Sequence, residues 1–198
     1  MSKVAIVGDP SGTGTFTISA PNGNTDRTLV LPDEAGTVLT SVSGLTAGNL
    51  TGSVPASAMP AGSVIQMKSS TLSSTLCTAS SSYISTGVSV TITPKDATSK
   101  FVILVSGGAN DYYATGRIGL TIYRDTTNLS PHGASLTRNV VGSGGQNQPN
   151  ALSVVDAPAT TNSITYSLEF RNDSQNGANV CVTYGEGLLT MVVMEVAG

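Results

Sequence analysis

Beyond residue 60 the chain is written in short alternations of apolar and polar side chains. In "SITYSLEFR", Ile164, Tyr166, Leu168 and Phe170 fall on one face and Thr165, Ser167, Glu169 and Arg171 on the other, the period of a strand with one buried face. Val88, Val90 and Ile92 repeat the pattern, as do Ile118, Leu120 and Ile122. Eight such segments, at 63–69, 87–94, 100–108, 116–125, 151–158, 162–172, 179–185 and 188–196, are separated by turn-forming residues. Eight short strands with intervening turns predict an all-β antiparallel sandwich. No window carries a helical period. Two segments depart from alternation: Phe101 to Val105 and Met191 to Met194 are apolar on both faces. A sandwich sheet ordinarily has one wet face, so these strands imply a contact between subunits or a central position.

Residues 1–60 differ. Strand candidates there are short and divided by "GDPSGTG", "PNGNTD" and "PDEAG", and the stretch 41–62 is rich in Gly, Ser, Ala and Pro, the composition of a linker or extended shaft. Asn22-Gly23 is a two-residue hairpin signal, since a type I′ turn needs positive φ at both central positions. It would pair "TFTISA" with "RTLVLP". Phe16, Ile18, Leu29, Leu31, Val38 and Leu39 supply most of the apolar side chains of residues 14–40. A piece that thin is marginal alone in water and needs neighbours. The expected organisation is therefore an attachment arm, short stem and linker over 1–60, and a head domain over 61–198.

Two long connections interrupt the head, at 107–116 and 125–150, and loops of that length commonly carry function. Asp111, Tyr112 and Tyr113 place adjacent aromatics in a Gly-rich loop, a flat amphipathic surface suited to sugars or protein partners. The alternative is that one tyrosine packs inward as an anchor. His132, Arg138 and the amide-rich "GGQNQPN" would add polar contacts from the second loop.

Composition narrows the chemistry. Charged residues make up 11% of the 198 and hydrophobic ones 39%, with nine Lys+Arg against twelve Asp+Glu, so the phosphate-neutralising footprint of a nucleic-acid binder is missing. The apolar run near the N-terminus is too short for a secretory signal, and none approaches a membrane span; synthesis in the cytosol without standard export and without membrane insertion is the expectation. In a reduced compartment Cys77 and Cys181 are expected as separate buried thiols rather than a bridge. The segment "VAIVGDPSGTGT" lacks the Lys of a phosphate loop and leads into strand and turn instead of a helix. His132 is the sole histidine, which leaves a serine or cysteine nucleophile without a base and a metal without a first shell. "NDSQNG" at 172–177 mimics the start of a calcium loop, but Thr183 stands where its bidentate Glu belongs. Asp111, Asp125, Asp156 and Asp173 are candidate carboxylates for glycan cleavage, yet their spacing pairs no two of them. Asn49, Asn128 and Asn172 begin sequons that matter only in a secreted eukaryotic protein. No cofactor, metal site or catalytic residue is expected.

"GTFTISAPNGNTDRTLVLPDEAGTVLT" resembles the repeating stem unit of phage tail fibres and related virion appendages, and "NLTGSVPASAMPAGSVIQ" the linker that follows it. From "SKFVILVSGG" through "GLTIYRD" to "MVVMEV" the chain is similar to the C-terminal heads of marine phage fibres. The resemblance implies a homotrimeric jelly-roll head, related in shape to tumour necrosis factor and complement-type heads, on an arm that docks on capsid or tail proteins. It implies a virion location and adhesion to a host-surface glycan or protein. Three copies would cover the second faces of the apolar strands and interlock the N-terminal ones. A capsid or head fibre, a decoration protein with an architectural role, and a glycan depolymerase are the alternatives.

Overall fold

A computed structural model describes residues 10–15, 17, 19, 22–26, 28, 54–112, 116–131, 134–141, 148–174, 177–183 and 187–198. The chain divides into two compact units, Met1–Leu50 and Thr51–Gly198. In the first, Asn22–Thr25 form a bend where the Asn22-Gly23 turn is expected. The segments proposed to pair across it lie largely outside the described residues.

The described residues of the second unit form eleven strands: β1 Val64–Leu72, β2 Leu76–Thr78, β3 Ile84–Ile92, β4 Lys100–Tyr112, β5 Gly116–Arg124, β6 Thr127–Asn128, β7 Thr137–Val141, β8 Gln148–Asp156, β9 Ile164–Asn172, β10 Val180–Val182 and β11 Leu189–Val196. Every pairing is antiparallel. One sheet has six strands in the order β1-β11-β4-β10-β2, with β8 on β4 as well; the other has five in the order β3-β9-β5-β6, with β7 on β5. Their inner faces close on one another. Val88, Val90, Ile92, Ile118, Leu120, Ile122, Ile164, Tyr166, Leu168 and Phe170 from the five-stranded sheet meet Phe101, Ile103, Val105, Leu189, Met191 and Val193 from the six-stranded one, all buried. These are the alternate positions of the sequence pattern, so the all-β sandwich follows directly from period two.

All eight expected strands are present. The additional three, β2, β6 and β7, are short edge pieces of three, two and five residues, too brief to set up a readable alternation. They correct the two expected loops. Residues 107–112 continue β4, and β6, β7 and the start of β8 occupy much of 125–150.

β4 is long enough to serve several partners. It pairs with β11 up to Gly107 and with β10 at Asp111 and Tyr112, while β8 lines its other edge. The change of partner falls at Gly107 and Gly108, with φ of 90° and 65°. A Cβ at Gly107 would lie 2.1 Å from the Leu188 carbonyl oxygen, the same oxygen that accepts from the Gly108 N–H at 2.6 Å. Glycine is required there both for positive φ and for closeness.

The cysteines contradict the expectation of separate thiols. Cys77 of β2 stands directly opposite Cys181 of β10, and the two are joined by a disulfide across 104 residues of sequence. The pairing arises because the three-residue β2, which the alternation did not announce, adds to the sheet exactly at β10. The bridge ties an edge strand to the sheet, and it suits an oxidising environment.

Two polar groups, one buried and one partly buried, fasten the sandwich. Glu195 is fully buried, its carboxylate accepting from the Lys95 backbone N–H at 2.7 Å and from the Gln66 side-chain amide. Asp156 on β8 accepts two bonds from Arg124 on β5, at 2.8 and 2.9 Å, and one from the Tyr166 hydroxyl on β9 at 2.8 Å. This group spans the two sheets at one end. Burial first, and then the bond to Asp156, raise the Tyr166 hydroxyl well above the usual tyrosine pKa.

Candidate functional site

The outer faces of the two sheets are of opposite kinds. On the six-stranded sheet the register sets Met67, Met194, Val102 and Val155 side by side across four strands, and Val192 and Leu104 beside each other in the next row. Met67 is 64% exposed, Val155 63% and Leu104 40%. Of the residues that the sequence marked on this second face, Leu104 is exposed and Val102, Val192 and Met194 are half-buried among the described residues. A shallow groove runs along it between β4 and β8, lined by Leu104, Ser106, Ala151 and Ser153.

On the five-stranded sheet the outward positions carry hydroxyl, aromatic and charged groups. Gly119 of β5 lies directly between Arg171 of β9 and Arg138 of β7. Its missing side chain leaves room for two others: an added Cβ would be 2.2 Å from Ser135 Oγ and 3.5 Å from the Asp173 Cβ. Asp173 thus settles over the glycine and is held from both sides. Arg138 Nε is 2.8 Å from Oδ2, while Arg171 donates to Oδ1 from Nη2 at 2.8 Å and from Nε at 3.1 Å. Arg117 adds a bond from Nη2 to the Asp173 backbone oxygen at 3.3 Å. Tyr83 covers Arg171, with the guanidinium carbon 4.5 Å from its ring centroid, and its hydroxyl is hydrogen-bonded to Ser135 Oγ at 2.8 Å. Tyr123 meets Tyr83 edge-on at 6.0 Å.

Beneath the tyrosines, Glu169 stands opposite Thr121 and Ser85. Burial pushes its carboxyl above the ordinary glutamate pKa. Burial, and after it the charge of Glu169, raise the Tyr123 hydroxyl as well. Thr121 is fully buried although it points outward, and it donates to Asn128 Oδ1 at 2.6 Å.

Of the residues singled out in the sequence, Arg138 belongs to this cluster. Asp111 and Tyr112 lie in β4, opposite Cys181 and Val180, and so at a strand end rather than in a free loop; their side chains, and Tyr113 and His132 altogether, fall outside the described residues. Sequence reasoning missed Tyr83, Tyr123, Arg117 and Arg171, and it weighed Asp173 only as a carboxylate for glycan cleavage. Arg117, Tyr123 and Arg171 are the polar half of alternating strands, and the unusual presence of a glycine at 119 between them was the available signal. Three of the four acids weighed for catalysis are engaged: Asp125 Oδ1 accepts from the Thr165 N–H at 2.9 Å, and Asp156 and Asp173 are held as described. Among the described residues no group of three or more His, Cys, Asp or Glu converges as a metal site, and no helix is long and apolar enough to cross a membrane.

No family model matches this chain, and no curated protein does. Among solved structures, the chain is similar to one in the structure of infectious bursal disease virus Gx strain, with 16% identity over 68% of this chain and 39% of that one and a TM-score of 0.29. The chain thus spans about two fifths of the length of that neighbour. So slight a likeness bears on no functional assignment.

Proposed function

We propose that this chain is a non-enzymatic structural protein of a phage particle. In this reading it is a short fibre whose sandwich heads assemble as a homotrimer through the outer face of the six-stranded sheet. The heads then present the polar sheet and the β4 strand end towards the host surface. The observation that carries the reading is the row Met67, Met194, Val102 and Val155, a contiguous apolar band on a face that a monomer would leave wet. Its width suits an obligate interface, which is more apolar than an ordinary surface.

The strand order supports the jelly-roll form of the sandwich. Taking the eight strands of five residues or more in chain order, one sheet reads first, eighth, third, sixth and the other second, seventh, fourth, fifth. The disulfide is in keeping with a particle that works outside the cell. The stem-like "TLVLPDEAGTVLT" supports attachment of the first unit to capsid or tail proteins. Engagement of Asp125, Asp156 and Asp173 in structural bonds favours adhesion over glycan cleavage. Light scattering on the purified full chain tests assembly: three times the chain mass is expected, and a monomer at working concentration would defeat the trimer. Adsorption of whole particles, blocked by added purified protein, tests adhesion separately.

A further inference from the structure

We propose that Arg117, Arg138 and Arg171 form a recognition site for a carboxylate-bearing polysaccharide on the outer face of the five-stranded sheet. The inference rests on the adhesion reading for its biological setting, but purified protein and simple polymers test it separately from particle adsorption. It begins from scarcity. The chain has only nine Lys and Arg and a net charge of −3, yet three arginines converge on Asp173. One aspartate does not need three guanidiniums, and the donors it leaves over are the basis of the site.

Arg138 commits Nε to Asp173 and is half exposed, at 49%; its Nη groups have no hydrogen-bond partner among the described residues. Arg117, also exposed, reaches the Asp173 backbone with Nη2 alone. Each therefore retains part of the planar donor fork that matches a carboxylate. Both are held in place before any ligand arrives, by Asp173 seated over Gly119, which reduces the ordering cost of binding.

Charge and shape refine the choice of ligand. The three arginines against Asp173 and Glu169 leave one net positive charge, which suits a singly charged group better than a phosphate dianion. Beside it, the half-buried Tyr83 and Tyr123 rings offer an apolar surface with polar edges, on which a sugar ring can lie. The contact made by a single head would be weak, and repetition along a polymer would raise the avidity.

The test measures binding of the full chain to alginate, dextran sulfate and neutral dextran, alongside the R117Q/R138Q and R138K variants, with thermal melting of each to verify folding. Alginate should bind and dextran should not. R117Q/R138Q should lose roughly tenfold or more in affinity while still melting cooperatively well above the assay temperature, and raising salt to about 0.5 M should release the polymer. R138K keeps the charge and loses the fork, so it should also weaken binding and keeps the test valid should the double variant misfold. Absence of alginate binding, equal retention by dextran, or full binding by both variants would overturn the site. Retention by dextran sulfate alone would overturn its assignment to carboxylates.

Discussion

The two sheets share one construction and diverge only on their outer faces. Inside, β3, β5 and β9 and their counterparts β4 and β11 contribute the same alternate Val, Ile, Leu, Phe and Met residues. Outside, one sheet shows Met67, Val102, Leu104 and Val155, and the other shows Arg138, Arg171, Glu169 and Tyr123. Folding constrains the inner half of each strand, so the outer half is free to be spent on other tasks. An apolar outer face answers to another protein surface, and a hydrogen-bonded polar one to water and to polar ligands.

The sharpest way to break this comparison is to make the two outer faces alike. L104E/V155E should remove the assembled species at micromolar concentration while the monomer stays folded, because assembly would bury two unpaired carboxylates per chain, at several kcal/mol each. Sedimentation checks it, and an unchanged mass would show that the apolar band is not the interface. Next in size is the disulfide, which belongs to neither face. C77S/C181S should cost about 2–4 kcal/mol in denaturant unfolding, since the bridge closes a long loop, and assembly of the folded protein should persist. On the polar face, D173A removes the carboxylate shared by the arginines and should cost about 2 kcal/mol; the half-exposed Arg138 recovers water and keeps the loss below that of a fully buried pair. The same substitution should leave the oligomeric mass unchanged.

The smallest effect lies in the core between the faces. The folded state holds the Tyr166 proton above the usual tyrosine pKa of about 10, where the unfolded chain releases it. The contribution is complete below about pH 10 and declines as pH rises beyond it, by at most about 1.4 kcal/mol per pH unit. Unfolding of Y166F should therefore fall off less steeply than wild type between about pH 9 and 11. Parallel profiles would mean that another group controls alkaline unfolding.

The sandwich was legible in the sequence because half-buried antiparallel strands write their burial as alternation, which "SITYSLEFR" does without exception. The doubled apolar character of Phe101–Val105 and Met191–Met194 corresponds to an outer face on which Leu104 is exposed and Val102, Val192 and Met194 are half-buried. The polar cluster was not legible. Arg117, Arg138 and the Arg171–Asp173 pair come from three stretches of chain far apart in sequence, and register brings them together around Gly119. The disulfide was hidden for a related reason. β2 has three residues and no alternation of its own, and its place beside β10 depends on where β4 exchanges partners.

That exchange has a bearing on how the chain finds its register. A one-residue slip between strands normally exposes a core face and is rejected on that account. β4 and β11 are apolar on both faces, so the hydrophobic effect alone would scarcely distinguish the native alignment from its neighbour. The distinction rests on two pins at opposite ends of the pair. At one end, only glycine fits against the Leu188 carbonyl. At the other, Glu195, paired across the ladder with Phe101, finds its partners Gln66 and Lys95 in a single alignment. A face made greasy enough to bind another copy has given up its power to proofread the fold, and a glycine and a buried acid perform that duty in its place.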